Sequence, residues 1–294
     1  MVINILSKNP KAYSTKRLIE AAQARNHEVR VINPFNCDLL VEKKYPDIFL
    51  EGKKIEKVDA IIPRIRVTDA FYGIAVVRQF ELMGVFTTAG SLALTRSADR
   101  LWSLQILSSA NMGLPKTAIS NDADQLADII NFVDEAPLII KLLERKKGLG
   151  VVLAETNEAA TSVIEAFKGL NARVLVQKYI KEAMGSNIRA FVVDGKVVGA
   201  MRRQAKKGEF RSNRNLGSTA RIIQLTEKEE LTAIKAAKIL GLGICGVDML
   251  RSFEGPLILK VTASPGLEYI EAVTKKDFAK IIIQYIEKNF NRKE

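Results

Sequence analysis

The sequence predicts an α/β fold that passes into α+β along the chain. Three observations carry this. In the first third, short apolar runs alternate with helical patterns, which requires a parallel sheet with helical crossovers. In the last third, strand patterns follow one another across tight turns, which requires antiparallel pairing. Between them, strand signals surround a glycine-containing loop. At 294 residues the chain is long enough for one large or two to three small domains, each with its own core.

The elements follow in order. "VINILS" is the first core strand, and Ser14 or Thr15 is placed to cap a helix carrying Leu18 and Ala22 on one face. "EVRVIN" and "VDAIIPRI" are further strands, and Tyr72 to Met83 is a helix stopped by Gly84. A dinucleotide site needs a Gly-x-Gly-x-x-Gly turn after the first strand; "LSKNPKAYS" stands there instead, which argues against a Rossmann cofactor. "SADRLWSLQILSSANMG" reads as one helix closed by Gly113, and "LPKTAI" as a strand. Leu126, Ile129, Ile130 and Val133 share a helix face. "PLIIKLLE" is a buried strand, "RKKGLGVVLAE" a loop leading into another, and "RVLVQKYI" a third. "RAFVVDGKVVGAMRR" is a hairpin on an Asp-Gly turn. Thr226 and Glu229 form a capping box for a helix through Leu240. "GICGVDMLRS" and "GPLILKVTAS" pair as a hairpin, and an amphipathic helix runs from about Asp277. In the last strand, alternation sets Leu257, Leu259 and Val261 on one face and Ile258, Lys260 and Thr262 on the other.

Hydrophobic residues make up 47% and charged residues 27%, as in soluble globular proteins. No apolar run approaches the roughly 20 residues of a membrane span, and the start is too short and too soon interrupted for a signal peptide. Cys37 and Cys245, far apart, point to reduced thiols and a cytoplasmic protein. His27 is the one histidine, and its place between a helix and a strand predicts a surface position. A single histidine argues against histidine-based catalysis and histidine-rich metal sites. The net charge is +12 and the pI about 9.6. Lysine pairs at 43–44, 53–54, 146–147, 206–207 and 275–276 suit a polyanion such as nucleic acid, nucleotide or an acidic peptide. They equally suit a lysine-rich surface kept for solubility.

Four features bear on chemistry. Lys141 in a buried strand, followed by "KKGLG", suits phosphate, or is a snorkelling lysine before an ordinary turn. "RRQAKKGEFRSN" either clamps carboxylate or phosphate or is a solvated loop. Asp248 lies alone on an apolar strand, where a carboxylate needs a partner or ligand. Lys260 interrupts an apolar strand with the same need.

The order of these pieces resembles the ATP-grasp ligases, and within them the RimK family: strand lysine, glycine loop, "VQKYI", "NIRAFVV", "RRQAKKGEFRSN", "GVDML", "TASPGLE". The resemblance covers nearly the whole chain, from "ILS…KRLIEAA" through "IPRI", "FYG…RQFE" and "KGLNA" to "ASPGLE". It implies an ATP-grasp fold preceded by an N-terminal α/β (pre-ATP-grasp) domain. The implied units are residues 1–95, a central lid with its leading helix at 96–178, and a C-terminal subdomain at 179–294, with ATP between the last two. It implies an ATP-dependent carboxylate–amine ligase that adds glutamate to the acidic C-terminal tail of a ribosomal protein through an acyl phosphate. It further implies Mg²⁺ or Mn²⁺, a homo-oligomer and no membrane partner.

The resemblance also assigns residues. Arg203, Arg211 and Asn213 fall in the catalytic and substrate cradle. Arg100, Lys141, Gly148, Gly150, Gln177, Lys178, Tyr179, Asn187 and Arg189 fall at the nucleotide, and Asp248 at the metal. Lys260 and Thr262 stand where the family has a metal-binding glutamate and asparagine. Arg100 stands in place of a lysine, and Lys178 and Asn187 in place of acids. The expected site keeps its phosphate cradle and loses most of its metal cradle; either Lys260 pairs with Asp248 and stands in for part of the metal charge, or a lone magnesium binds mainly through ATP oxygens and water. Three functions follow from this: an active glutamate ligase, a catalytically impaired relative that binds nucleotide or an acidic peptide, and a basic ribosome-associated binding protein. The third calls for stacking aromatics among the basic residues. The basic loop offers only Phe210, so direct nucleic-acid binding ranks last.

Overall fold

In the computed structural model, residues 1–44, 46–120, 126–142, 150–168, 174–212 and 217–290 are described. The first third contains β1 (Val2–Leu6), α1 (Tyr13–Gln23), β2 (Glu28–Ile32), β3 (Cys37–Leu40), β4 (Asp47–Leu50), β5 (Lys53–Lys54), β6 (Ala60–Pro63), α2 (Ala70–Leu82), β7 (Phe86–Thr87), α3 (Ser91–Ala98) and α4 (Arg100–Ser109). The order β2-β1-β6-β7 forms one sheet, parallel throughout, as the alternation of strand and helix predicts. β3, β4 and β5 form a separate antiparallel sheet that the apolar pattern does not announce.

Three expectations are corrected here. Neither Ser14 nor Thr15 caps α1, which already starts at Tyr13, with Ala12 at its N-cap and no capping side chain. Both are buried inside the helix. The Ser14 hydroxyl accepts from the Leu267 N–H at 3.0 Å, and the Thr15 hydroxyl meets that of Ser7 at 3.2 Å. The helix expected from Ser97 to Met112 is divided, because Asp99 adopts an extended conformation (ψ 109°) and its carboxylate caps α4 by accepting from Trp102 N–H. His27 is not a surface residue: its side chain is 9% exposed and its Nε2 lies 2.8 Å from Glu287 Oε1.

The middle of the chain holds β8 (Thr117–Ser120), α5 (Leu126–Phe132), β9 (Leu138–Leu142), β10 (Val151–Ala154), α6 (Asn157–Lys168) and β11 (Val174–Lys178). Its antiparallel sheet has the order β10-β9-β11-β8. Ile129, Ile130, Val133 and Ile164 from the helical side pack with Leu138, Ile140 and Val176 in a core of their own. The opposite sheet face carries Ile139, Lys141 and Gln177.

The last part comprises β12 (Ser186–Val193), β13 (Lys196–Gln204), β14 (Thr219–Ile222), α7 (Glu227–Leu240), β15 (Ile244–Ser252), β16 (Gly255–Thr262), α8 (Glu268–Thr274) and α9 (Phe278–Phe290). Its antiparallel sheet runs β14-β13-β12-β15-β16. Asp194 and Gly195 turn the first hairpin at φ 52° and 69°, both left-handed as the tight Asp-Gly turn requires. The Thr226–Glu229 capping box is present in both its bonds.

One face of this five-stranded sheet packs on α7 and on the N-terminal helices, joining Ile188, Val247 and Ile258 to Val77 and Phe80. The other face is covered at one end only, where Phe191 and Met201 pack with α8, α9 and β1. Its bare end looks toward the middle sheet. No helix among the described residues is long and apolar enough to cross a membrane.

Candidate functional site

Between that bare end and the middle sheet lies a cleft of about 340 Å³. β9 contributes Ile139 and Lys141, β11 Gln177, β12 Asn187 and Arg189, β13 Arg203, β15 Asp248 and Leu250, and β16 Leu259 and Lys260. Arg100 enters from the first turn of α4, and Tyr179, Phe210 and Arg211 from loops. The two-residue strand period explains the pairs 139/141, 187/189 and 248/250 on shared faces.

Lys141 is 8% exposed. Its Nζ donates to Gln177 Oε1 at 2.5 Å, and Gln177 Nε2 donates to Thr117 Oγ1 at 2.7 Å, so the amide is fixed with its oxygen toward the lysine. Burial drives the Lys141 pKa well down, and the nearby Arg100 charge adds to the effect. Burial also lowers Arg100, whose Nε is buried without a hydrogen-bond partner. Lys178 lines the cleft with its ammonium on the Asp134 carbonyl at 2.6 Å. Gly150 does not line the cleft. It sits at the loop end of the β9–β10 hairpin with φ 78°, where an added Cβ would lie 2.6 Å from Leu142 Cδ1. Gly148 and Asn213 lie outside the described residues.

On the opposite wall, Asp248 is 7% exposed and Arg203 8%. Arg189 donates Nε to Asp248 Oδ1 and Nη2 to Oδ2, both at 2.7 Å. Arg203 Nη2 adds a third bond to Oδ1 at 2.8 Å, and its Nε donates to Asn187 Oδ1 at 2.8 Å. Burial alone would raise the Asp248 pKa, but Arg189 and then Arg203 outweigh it and hold the carboxyl well below the usual range. Burial opposes the charge of both arginines. Asp248 overcomes this at Arg189, whose pKa is raised, and not at Arg203, whose pKa is lowered. Arg211 is held by Glu209 through Nε at 2.9 Å and Nη2 at 2.7 Å, and it stacks over Phe210. Arg202 falls on the opposite strand face from Arg203, bonded to Gln204.

The expected Asp248–Lys260 ion pair does not form; Lys260 makes no hydrogen bond or ion pair with any described residue. Arg189 and Arg203 already take both carboxylate oxygens, and a bulge reshapes the strand beside them. Asp248 pairs with Lys260, but Met249 pairs with Ile258, leaving Leu259 as an extra residue. Ile258 and Val261 both enter the core, while Leu259 and Lys260 both line the cleft. The expected alternation, with Ile258 beside Lys260, is corrected accordingly. Desolvation lowers the Lys260 pKa, Asp248 pulls it back up, and Arg100, Arg189 and Arg203 push it down again.

The donor set does not suit a divalent cation. Both Asp248 oxygens are committed to guanidinium groups, and an ammonium stands opposite. Among the described residues, no three His, Cys, Asp or Glu side chains come together. Sequence reasoning missed the apolar wall. Ile139 and Leu250 lie two residues from Lys141 and Asp248, so the strand period could have found them. Leu259 is hidden by the bulge.

Comparison with known proteins gives a consistent pattern. The profile of the RimK PreATP-grasp domain matches residues 1–94, and that of the RimK-like ATP-grasp domain matches residues 97–286. A protein of Shewanella denitrificans described as probable alpha-L-glutamate ligase 1 is 53% identical over 292 residues, covering 99% of each chain. A probable alpha-L-glutamate ligase of Vibrio cholerae is 53% identical over 289 residues, 98% of this chain and 96% of its own. The structure of the ATP-grasp ligase PsnB complexed with a phosphomimetic variant of its minimal precursor, Mg and ADP superposes with a TM-score of 0.75 over 97% of each chain. At 18% identity, that likeness is one of fold.

Proposed function

Because the chain belongs to the RimK-like ATP-grasp family, we propose that it is an ATP-dependent carboxylate–amine ligase joining glutamate to an acidic protein tail. The observation that carries this reading is the convergence of Arg100, Lys141, Arg189, Arg203 and Lys260 on one cleft with apolar walls. Ile139, Leu250 and Leu259 suit a flat heterocycle, and the cations suit a polyphosphate. Lys141 and Arg100 hold phosphate oxygens, Lys141 oriented by Gln177. Arg203 and Arg211 meet the reacting carboxylate, with Asn187 fixing Arg203. Residues 96–178 supply the lid. A carboxylate accepts the terminal phosphoryl group to form an acyl phosphate, and an amine then displaces phosphate, so positioning and charge neutralisation are most of the work. The acceptor that fits the family is the acidic C-terminal tail of a ribosomal protein, met by a basic surface.

A divalent ion, where bound, supplies charge neutralisation and a template. The side chains at 248, 260 and 262 do not offer it the usual donors, and fixed cations carry that charge instead. Two unit charges about 4 Å apart repel by about 4 kcal/mol at an effective dielectric near 20, and a divalent ion doubles this. The Arg189–Asp248–Arg203 cluster favours a second reading, a relative that binds nucleotide without turnover.

The test is ATP hydrolysis and glutamate transfer to a peptide ending in glutamates, across a magnesium series, with nucleotide binding followed by calorimetry. Transfer establishes the ligase. Binding without hydrolysis establishes the second reading. A chain that binds no nucleotide sinks both.

A further inference from the structure

A second cavity, of about 290 Å³, shares Lys260 with the cleft and lies between the N-terminal unit and the end of β16. Its walls include Arg64 from the loop after β6, Ile74 from α2, Ala98 from α3, and Lys260 and Thr262. The polar groups on these walls are incompletely satisfied. Arg64 donates one bond, from Nη1 to the Pro265 carbonyl at 3.0 Å, and no described carboxylate lies within ion-pair distance of it. Lys260 has no partner among the described residues. The Thr262 hydroxyl is buried with no hydrogen bond. Arg66, at the same cavity, is already balanced by Asp69 at 2.8 Å, as is Lys8 at 3.2 Å. Desolvation pushes the Arg64 pKa down to about 10.

A half-buried guanidinium with one hydrogen bond and an orphan buried hydroxyl are best satisfied by an anion that joins them, and the exposed Lys260 ammonium at the cavity rim is free to reach the same anion. The free N–H donors of Arg64 form a planar fork, which matches a carboxylate. The cavity volume is at the small end for ligand sites, and Ile74 and Ala98 leave an apolar flank. We propose that this cavity is a carboxylate subsite, in which Arg64 and Lys260 hold the carboxylate of a small amino acid such as glutamate. The same chemistry is offered by the free carboxylate at a peptide end. The choice of glutamate rests on the ligase reading above, whereas the carboxylate subsite itself does not depend on nucleotide binding in the cleft. If both sites fill, Lys260 lies between two anions and screens each from the other.

The full chain is titrated with L-glutamate by calorimetry, and separately with ATP. The native chain binds L-glutamate. Arg64→Ala weakens that binding about thirtyfold, as for loss of a buried charge partner, while ATP affinity stays within about twofold. Arg64→Lys recovers part of the loss. Ala98→Met, which fills the cavity from its apolar wall, also abolishes L-glutamate binding. This variant decides the matter if circular dichroism shows Arg64→Ala unfolded. A glutamate-ending peptide and its C-terminal amide separate the two sources. Competition by the free acid alone assigns the subsite to a chain end, and indifference to both assigns it to the free amino acid. ATP binding without any binding of L-glutamate or the acid peptide overturns the subsite and leaves the nucleotide reading intact. Unchanged L-glutamate binding in both Arg64→Ala and Ala98→Met also overturns it. Parallel loss of ATP and L-glutamate in both variants points to a fold defect and rejects a separate site.

Discussion

At the scale of single residues, the site turns on charges that strands place out of water. Lys141 and Asp248 are legible in the sequence because a charged side chain within an apolar strand must find a partner, whereas Arg189 is reached only through the family resemblance. The partner is less legible. Lys260, directly across the sheet from Asp248, is the obvious candidate, yet Arg189 and Arg203 reach over from β12 and β13 with better fork geometry. Asp248→Asn leaves two buried guanidinium groups without their counter-charge and should destabilise the fold by about 3–5 kcal/mol in urea denaturation. The pH dependence has a definite sign. The folded pKa of Asp248 is depressed, so its contribution is complete above the unfolded value near 3.9 and fades as pH falls from about 5 downward. The asparagine variant should lack that part of the acid limb; an unchanged limb would remove Asp248 from the account. Lys141 has the opposite chemistry. Its pKa is pushed down by burial, and an arriving polyanion restores the charged form. ATP binding should therefore take up protons, read as a dependence of calorimetric heat on buffer ionisation enthalpy. Lys141→Ala should remove that dependence together with most of the affinity.

At the scale of elements, what reads correctly is local chemistry. The Thr226–Glu229 box and the Asp194–Gly195 turn are formed by adjacent residues and need no tertiary information. What fails is set by neighbours in space. Ser14 and Thr15 look like caps, but the fold draws their hydroxyls to Leu267 and Ser7. Asp99 ends one helix and caps the next, which helical periodicity passes over. The Leu259 bulge changes which side chains reach the cleft, and no pattern of alternation contains it. Gly150 lies between these cases. Its left-handed φ and the 2.6 Å approach to Leu142 are both incompatible with a side chain. Gly150→Ala should cost about 1–3 kcal/mol, and the cost should be confined to the middle sheet, which has its own core. Hydrogen exchange should quicken in β9 and β10 and stay unchanged in β12 and β15. Acceleration throughout the chain would mean that the middle sheet does not open independently.

At the scale of the molecule, three cores organise the chain. Two of them join the N-terminal sheet and helices to opposite faces of the five-stranded sheet, while the third belongs to the middle unit alone. The cleft therefore has one wall continuous with most of the fold and one wall on a unit that is packed separately. The change of strand and helix patterns at the middle sheet is legible in the sequence. The fusion of the first and last units is not, because contacts between residues more than 200 apart, such as Arg64 with Pro265, leave no local signature. Net charge works at this scale too. The chain carries 45 Lys and Arg against 33 Asp and Glu, and the cleft concentrates the imbalance, with Asp248 its one buried carboxylate among the described residues lining it. A nucleotide there meets fixed positive charge whether or not a metal accompanies it. A chelator should thus change ATP affinity by no more than about threefold, under 1 kcal/mol. Replacing Lys260→Glu and Thr262→Asn together puts a carboxylate and an amide oxygen beside Asp248 and removes the cation facing it. That variant should gain a magnesium requirement, with chelator weakening ATP binding about tenfold or more, because an added acid repels polyphosphate until a divalent ion bridges them. A native chain that already requires magnesium for binding would show that Asp248 releases its arginines to a metal, and the fixed-cation account of the cleft would fall.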